Sequence, residues 1–396
     1  MKKILIIGAG FLQAYVIKRA VELGYETYVV DANSQSVGFT YAHQYRVINI
    51  VDKEACLNYA RECNVDGVLT AATDYGVLTV SYIAEKLNLP GLIYSVAELI
   101  KNKYQVRKKL YECKVDDTEQ AYEVTVHTDF NELKKQLTFP VMVKPCDGSG
   151  SRGASRVDNP EELADACALA IENSLTGKAE IETFIIGREF GVESFVENGN
   201  IHVLGIMKKK MTKPPYYAEL GHCIPSGLSE ATEEKIKLYV AQAINVLGIN
   251  FGSVNMDILV TETGTVHIVD IGARMGGNLI GSHLIPVGTG IDYIGNMIKA
   301  SVSDTVDFSS CGGKPVASRL LALTPGVVQH MPDFRSLEKQ YDVTIEHRIY
   351  IGMEITPYRT NLDGCGYVVV SSENAEDNEE TAETVKKIID QEIERE

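Results

Sequence analysis

Positive charge is what this chain has least of. Its 396 residues carry 38 Lys and Arg against 54 Asp and Glu, a formal net charge of −16. Affinity for a phosphate backbone is carried by clustered Lys and Arg, so the balance argues against a nucleic-acid partner. The one basic cluster, Lys208-Lys209-Lys210, is short and suits a small anionic ligand better than a duplex. No apolar run approaches the about 18 residues of a membrane span. The apolar stretch after Lys2-Lys3 ends at Gly8-Ala9-Gly10 and passes into a helical pattern, so it reads as a first strand and not a signal peptide. The eight cysteines show no CxxC and no regular spacing, which argues against a disulfide framework or zinc site and for a cytoplasmic compartment. Internal repeats and low-complexity tracts are absent as well.

What is present is an ordinary globular composition, 45% hydrophobic and 23% charged, in a chain long enough for two or three domains. The first hundred residues alternate strands (4–7, 27–30, 47–50, 67–71) with helices (11–23, 52–63, 75–87), the pattern of a parallel sheet covered on both faces. On the first helix Leu12, Val16, Ile17, Ala20 and Val21 share a face. Ser95 to Glu98 has capping-box spacing and reads as a helix start. Beyond about 115 the order is a strand (120–126), a short helix (129–137), a strand (141–145), a glycine-rich loop (147–153) and a helix opened by Asn159-Pro160. A strand (180–186), a hairpin about Asn198-Gly199-Asn200 and an amphipathic helix (232–247) stopped at Gly248 follow. Two strands then meet at Thr263-Gly264, and the last eighty residues mix strands with an acidic helix. The fold class is α/β followed by α+β.

Five segments carry candidate chemistry. Gly8-Ala-Gly10-Phe-Leu-Gln13, with Asp31 after the next strand, has the outline of a dinucleotide turn, but Gln13 replaces the third glycine, and a plain strand-helix turn accounts for it equally well. Lys144 ends a strand beside Asp147-Gly148-Ser149-Gly150-Ser151-Arg152-Gly153. A point charge next to a nest of backbone N–H groups can hold polyphosphate, although no Walker A sequence is present. Glu182-Thr-Phe-Ile-Ile-Gly187-Arg-Glu189 sets a carboxylate on either side of a strand turn. Asp257 and Asp270 lie on strands joined by a short turn, with Arg274-Met-Gly-Gly-Asn278 just after. Paired carboxylates with an arginine suit Mg²⁺ on a nucleotide's phosphates and a fixed cation for developing charge. The fifth segment, Tyr216 to Ser226, reads as a loop containing Glu219 and His222.

In their order these segments resemble the ATP-grasp superfamily, especially its amino-acid ligases and its biotin carboxylase and carbamoyl phosphate synthase types, over about residues 1–370. The resemblance implies a Rossmann-like pre-ATP-grasp domain (1–100) that binds no dinucleotide. An ATP-grasp domain would follow (101–310, lid about 115–190), then a C-terminal α+β subdomain (311–396). It implies an enzyme that uses ATP and Mg²⁺, or Mn²⁺, to make an acyl phosphate from a small carboxylate and passes the acyl group to an amine. Bicarbonate activation of the carboxylase or carbamoyl phosphate type, or an ATP-binding sensor, are the alternatives. Carried over by position, Lys103 and Lys144 are the nucleotide lysines, with Ser149, Gly150 and Ser151 on the phosphates. Glu182, with the Phe184 and Ile185 backbone, lies at the adenine, and Glu189 at the ribose. Asp257 and Asp270 are the metal carboxylates, and Arg274 faces the acyl phosphate. Glu219, His222 and Asn278 lie on the substrate side, and a homodimer is the default assembly. One departure stands out. The family's Glu-Ile-Asn is here Asp270-Ile271-Gly272, which removes an oxygen ligand of the second metal ion. Asn278 is near enough in sequence to replace it.

Overall fold

The computed structural model describes residues 1–118, 121–148, 150–214 and 217–396. Strands β1 (Lys3–Ile7), β2 (Glu26–Asp31), β3 (Gln44–Val47) and β4 (Gly67–Thr70) form a parallel sheet in the order β3-β2-β1-β4. Strand-helix-strand crossovers allow only this parallel pairing within one sheet. The third strand lies earlier than the apolar run at 47–50. All four of its residues are exposed at the sheet edge, so hydrophobicity did not mark it. The first helix, Phe11–Glu22, buries Gln13, Ala14, Val16, Ile17 and Ala20, and Leu12 and Val21 stay half-buried. Ser95 does not cap a helix, because the turn of Tyr94–Ile100 already starts one residue before it, at a cap without a side-chain bond.

A second, antiparallel sheet holds β5 (Ala121–Val124), β6 (Val141–Pro145), β7 (Ser155–Val157) and β8 (Ala179–Thr183) in the order β5-β8-β6-β7. Asn159 accepts from the Glu161 N–H and opens the turn into the helix Leu163–Glu172. That helix packs Leu163, Cys167 and Ala170 against Val141, Val143 and Ile181.

The largest sheet positions the site. It is built from β9 (Arg188–Glu197), β10 (Asn200–Met211), β11 (Glu219–Ile224), β12 (Gly252–Val260), β13 (Val266–Gly272) and β14 (Val316–Leu320). Three strands, β15 (Gly326–His330), β17 (Glu354–Ile355) and β19 (Glu394–Arg395), make a small sheet of their own, whereas β16 (Val343–His347) and β18 (Gly366–Ser371) extend the large one. Its order is β13-β12-β9-β10-β11-β14-β18-β16. The segment expected as a loop around Glu219 and His222 is therefore strand β11, joining β10 to β14. Side chains alternate across a strand. On one face Phe190, Val192, Val254, Met256 and Ile258 bury against Ile236, Val240 and Ile244 of the helix Glu230–Leu247. Gly248, at φ +76°, ends that helix in the left-handed conformation that glycine adopts without strain. The opposite face carries the polar residues described next. Among the described residues no helix is long and apolar enough to cross a membrane.

Candidate functional site

One face of the large sheet collects acidic and basic side chains from five strands. Register sets Asp257 directly opposite Asp270 across β12 and β13, and Asn255 opposite Gly272. On the other side of β12, Glu193 is opposite Asn255 and Gly191 opposite Asp257, with Glu189 two residues further along β9. Lys209 of β10 is opposite His222 of β11. Since residues two apart share a face, these side chains converge without any special loop.

Lys209 is the hub, and the reading from sequence did not single it out. Its ammonium lies 2.6 Å from Glu189, 2.7 Å from Glu219 and 2.9 Å from Asp257, with only 1% of the side chain exposed. A Cβ on Gly191 would lie at ordinary contact distance from the lysine, 3.9 Å from its Cδ, and would crowd only the end of Met207, at 3.3 Å. The neighbouring lysines turn the other way, Lys208 to Glu379 and Lys210 to Glu383 of the C-terminal helix Ala375–Glu392, each at 2.7 Å. Each lysine of the basic cluster is thus paired with a carboxylate of the chain. Spacing alone could not have marked it, because Lys209 reaches the face of Glu189 only through the bulge between Val203 and Gly205. Burial, opposed by Lys209 but reinforced by Glu219 and Glu189, lifts the Asp257 carboxyl to about 7. Glu219 moves the other way, because Lys209 and His222 outweigh its burial. His222 is pushed down to about 4 by burial, so it is neutral near pH 7.

A second cluster forms between β6, β8 and β13. Register pairs Lys144 with Glu180. The Lys144 ammonium sits 2.7 Å from Glu182, 2.9 Å from the Val269 carbonyl and 3.7 Å from Glu180. Arg107 donates to Glu182 (2.9 Å), Asp116 (3.0 Å) and the Ile268 carbonyl (2.6 Å). Neither Arg107 nor Glu180 was anticipated from sequence. Glu180 is fully buried, and among the described residues neither of its oxygens has a hydrogen-bond partner. Burial and the nearby Glu182 raise it to about 7. Lys103 binds Asp270, whose carboxyl is held below its ordinary value by Lys103 and Lys144 in spite of burial. Phe184 spends its backbone N–H on the Pro140 carbonyl, and its ring lies 4.4 Å from Arg156.

A cleft opens beside Asp270, lined by Asp74, Lys101, Lys103, Asp147 and Arg274. Asp74 comes from the turn after β4 and was missed in the sequence. Its carboxylate grips Arg274 through Nε (3.0 Å) and Nη2 (3.2 Å), and Nη1 donates to Asn255 (3.2 Å). Tyr75, next to it, accepts from Arg152 of the glycine-rich loop. In that loop Gly150 and Ser151 adopt positive φ and Ser151 Oγ donates to the Tyr217 carbonyl (3.1 Å), whereas Ser149 lies outside the described residues. Asn278 is engaged by side chains other than the two aspartates. Its amide donates to Glu219 and accepts from the Tyr367 hydroxyl (3.1 Å), on a strained backbone at φ +51°. The expectation that it replaces the missing ligand at Gly272 is therefore corrected.

Asp257 and Asp270 suit one divalent cation. They face each other in register, and Asp270 is 36% exposed to the cleft. Mg²⁺ is commonly held by one or two carboxylates plus phosphate oxygens. The dinucleotide turn is by contrast closed. Asp31 accepts from the Ala9 and Asn33 N–H groups, and Gln13 donates to the Ala71 carbonyl while filling the space above Gly8 and Gly10.

The fold and this geometry agree with what the chain is similar to. Residues 137–282 match the model of the ATP-grasp domain. The chain carries an ATP-grasp domain. Its fold is shared with the L-amino acid ligase from Bacillus licheniformis, at 23% identity and a TM-score of 0.86 over 98% of this chain and 97% of that one. It is shared too with the phosphoribosylglycinamide synthetase from Anaerococcus prevotii (23% identity, TM-score 0.76, 98% of each chain). Among curated relatives, the formate-dependent phosphoribosylglycinamide formyltransferase of Sulfurisphaera tokodaii is 25% identical over 66% of this chain and 67% of its own length. An uncharacterized protein of Sinorhizobium fredii is 24% identical over 77% of this chain, which spans 64% of that relative. The carbamoyl phosphate synthase large chain of Thermoanaerobacter pseudethanolicus is 23% identical over 87% of this chain, but only 32% of its length is covered.

Proposed function

We propose that the chain is an ATP- and Mg²⁺-dependent ligase that activates a small carboxylate by phosphorylation and transfers its acyl group to an amine, releasing ADP and phosphate. The observation that carries this reading is the meeting of Lys103 and Asp270 beside one cleft, with Asp257 opposite Asp270 in register and Lys144 on the neighbouring Val269 carbonyl, in a chain whose residues 137–282 match the ATP-grasp domain. We take residues 1–100 as a pre-grasp unit, 101–310 as the ATP-grasp unit and 311–396 as a subdomain that completes its sheet.

The bound magnesium nucleotide supplies the phosphoryl group and neutralises charge as it moves. The chain's own residues do the rest. Lys144 and Lys103, each salt-bridged to a carboxylate, put fixed positive charge where phosphates would lie. Glu182 and the Ile185 backbone lie at the base, and Glu189, reached through Lys209, at the ribose. Arg274 is held in one orientation by Asp74 and Asn255, so its charge is oriented before substrate arrives, which lowers reorganisation in the charged transition states. Glu219, His222 and Asn278 line the substrate side. The loop 147–153, pinned through Arg152 to Tyr75, would keep water from the activated carboxylate.

The test is ADP release over a matrix of carboxylates and amines, with mass spectrometry of the products and a bicarbonate arm. Condensation products formed in step with ADP are expected. ADP release that needs bicarbonate and no other carboxylate would replace the reading with the carboxylase or carbamoyl phosphate type. ATP binding with no turnover on any pair would leave a sensor.

A further inference from the structure

We propose that Arg274, fastened by Asp74 across Gly272, stands where a second metal ion would need its ligand, so that the site loads one divalent ion per nucleotide instead of two. The inference rests on the nucleotide-site reading above. Gly272 shares the site face with Asp270 and is opposite Asn255, one step along from the aspartate pair. A side chain at 272 would therefore point into the same space as the two aspartates. That space is already filled: a Cβ built on Gly272 would lie 3.0 Å from the Arg274 Cζ and 3.1 Å from an Asp74 oxygen. Contacts so short mean that any larger residue would have to displace the guanidinium.

The ligand count agrees. A second ion needs oxygen donors beyond the two aspartates, and each aspartate already shares its charge with a lysine, Asp257 with Lys209 and Asp270 with Lys103. The nearest alternative donors are spent. Asn278 is bonded to Glu219 and Tyr367, Asn255 donates to Glu193 and accepts from Arg274, and Asp74 chelates Arg274. Among the described residues the one set of three carboxylate or imidazole groups within reach of a common ion is Asp116, Asp117 and His267, outside this cleft. A guanidinium delivers a single fixed charge and directional donors in place of a hydrated divalent ion. Asp74 makes that charge immobile, and because Asp74 belongs to the turn after β4, the N-terminal sheet takes part in building the metal site.

The experiment counts ions directly. Mn²⁺ is titrated into the full chain in excess over a non-hydrolysable ATP analogue, and bound Mn²⁺ is measured by electron paramagnetic resonance. One ion per nucleotide is expected, and two ions overturn the proposal while leaving the ligase reading intact. No nucleotide binding at all overturns both. The second arm is Gly272→Asn, which restores an oxygen donor and forces Arg274 aside; a rise to two ions per nucleotide is expected. If the variant folds and still holds one ion, Gly272 is not the cause and the assignment fails. If it does not fold, the wild-type count decides alone. Failure to release ADP with any substrate pair would count against the ligase reading without changing the ion count.

Discussion

Asp257 and Asp270 are the same residue on neighbouring strands, directly opposite each other, yet their surroundings push them in opposite directions. Burial lifts the Asp257 carboxyl to about 7, and the single buried lysine that it shares with two other carboxylates, themselves repelling it, does not offset that. Asp270 has Lys103 to itself with Lys144 close by, and its carboxyl is held down. The difference shows that residue type and register bring two carboxylates together, but the ratio of cations to anions around each decides its charge. A site built this way has a sealed half, organised by Lys209, and an open half facing the cleft.

The largest effect should come from the sealed half. Lys209→Met leaves three half-buried carboxylates without their buried counter-ion, and removing one partner of such a cluster costs up to about 3–5 kcal/mol. Urea unfolding at pH 7.5 measures it, and a loss under 1 kcal/mol would mean that water already shields the cluster. Next, Asp270→Asn on the open half should lower turnover roughly 10²–10³-fold by removing a charged ligand from the metal. Its melting temperature should hardly change, and a parallel fall in both would make Asp270 a scaffold residue.

Glu180→Gln sharpens the comparison through pH. The folded-state value of Glu180 lies above that of an ordinary carboxyl, so its stabilising contribution is full below about pH 4.5 and is lost as pH rises through about 7. The glutamine variant should therefore be more stable than the parent at pH 8, by something on the order of 1–3 kcal/mol, with no advantage at pH 4. Equal differences at both pH values would show that Glu180 stays ionised throughout. The smallest effect belongs to Lys103→Met, which should alter stability by no more than about 1 kcal/mol because its partner is partly solvated. A loss as large as that of Lys209→Met would erase the distinction between the two halves.

Much of this was readable without coordinates. Alternation of strands and helices predicted the parallel first sheet, and Gly248 and Asn159 marked helix ends by conformational and capping chemistry that is local. The edge strand β3 and the strand β11 were not readable. The first has no apolar side to bury, and the second is held by neighbours β10 and β14 that are distant in sequence. The unanticipated site residues, Asp74, Arg107, Glu180, Glu193 and Lys209, have the same explanation, since each acts on a partner that only register or domain contact supplies. Glu193 is one example. It receives the Gly276 N–H at 3.0 Å and the Asn255 amide at 2.9 Å, fixing the segment after Arg274 from another strand.

By itself the sequence determined the order of elements, the ATP-grasp motifs and the two opposed aspartates, because these follow from backbone periodicity and from short segments whose chemistry is contained within them. Only the tertiary structure decided which lysine neutralises which carboxylate, that Lys209 alone of the basic cluster faces inward, and that Arg274 lies over Gly272. Those outcomes depend on distances between strands far apart in the chain, and buried charges settle on whichever partners the fold brings within about 3 Å, where desolvation leaves them no alternative.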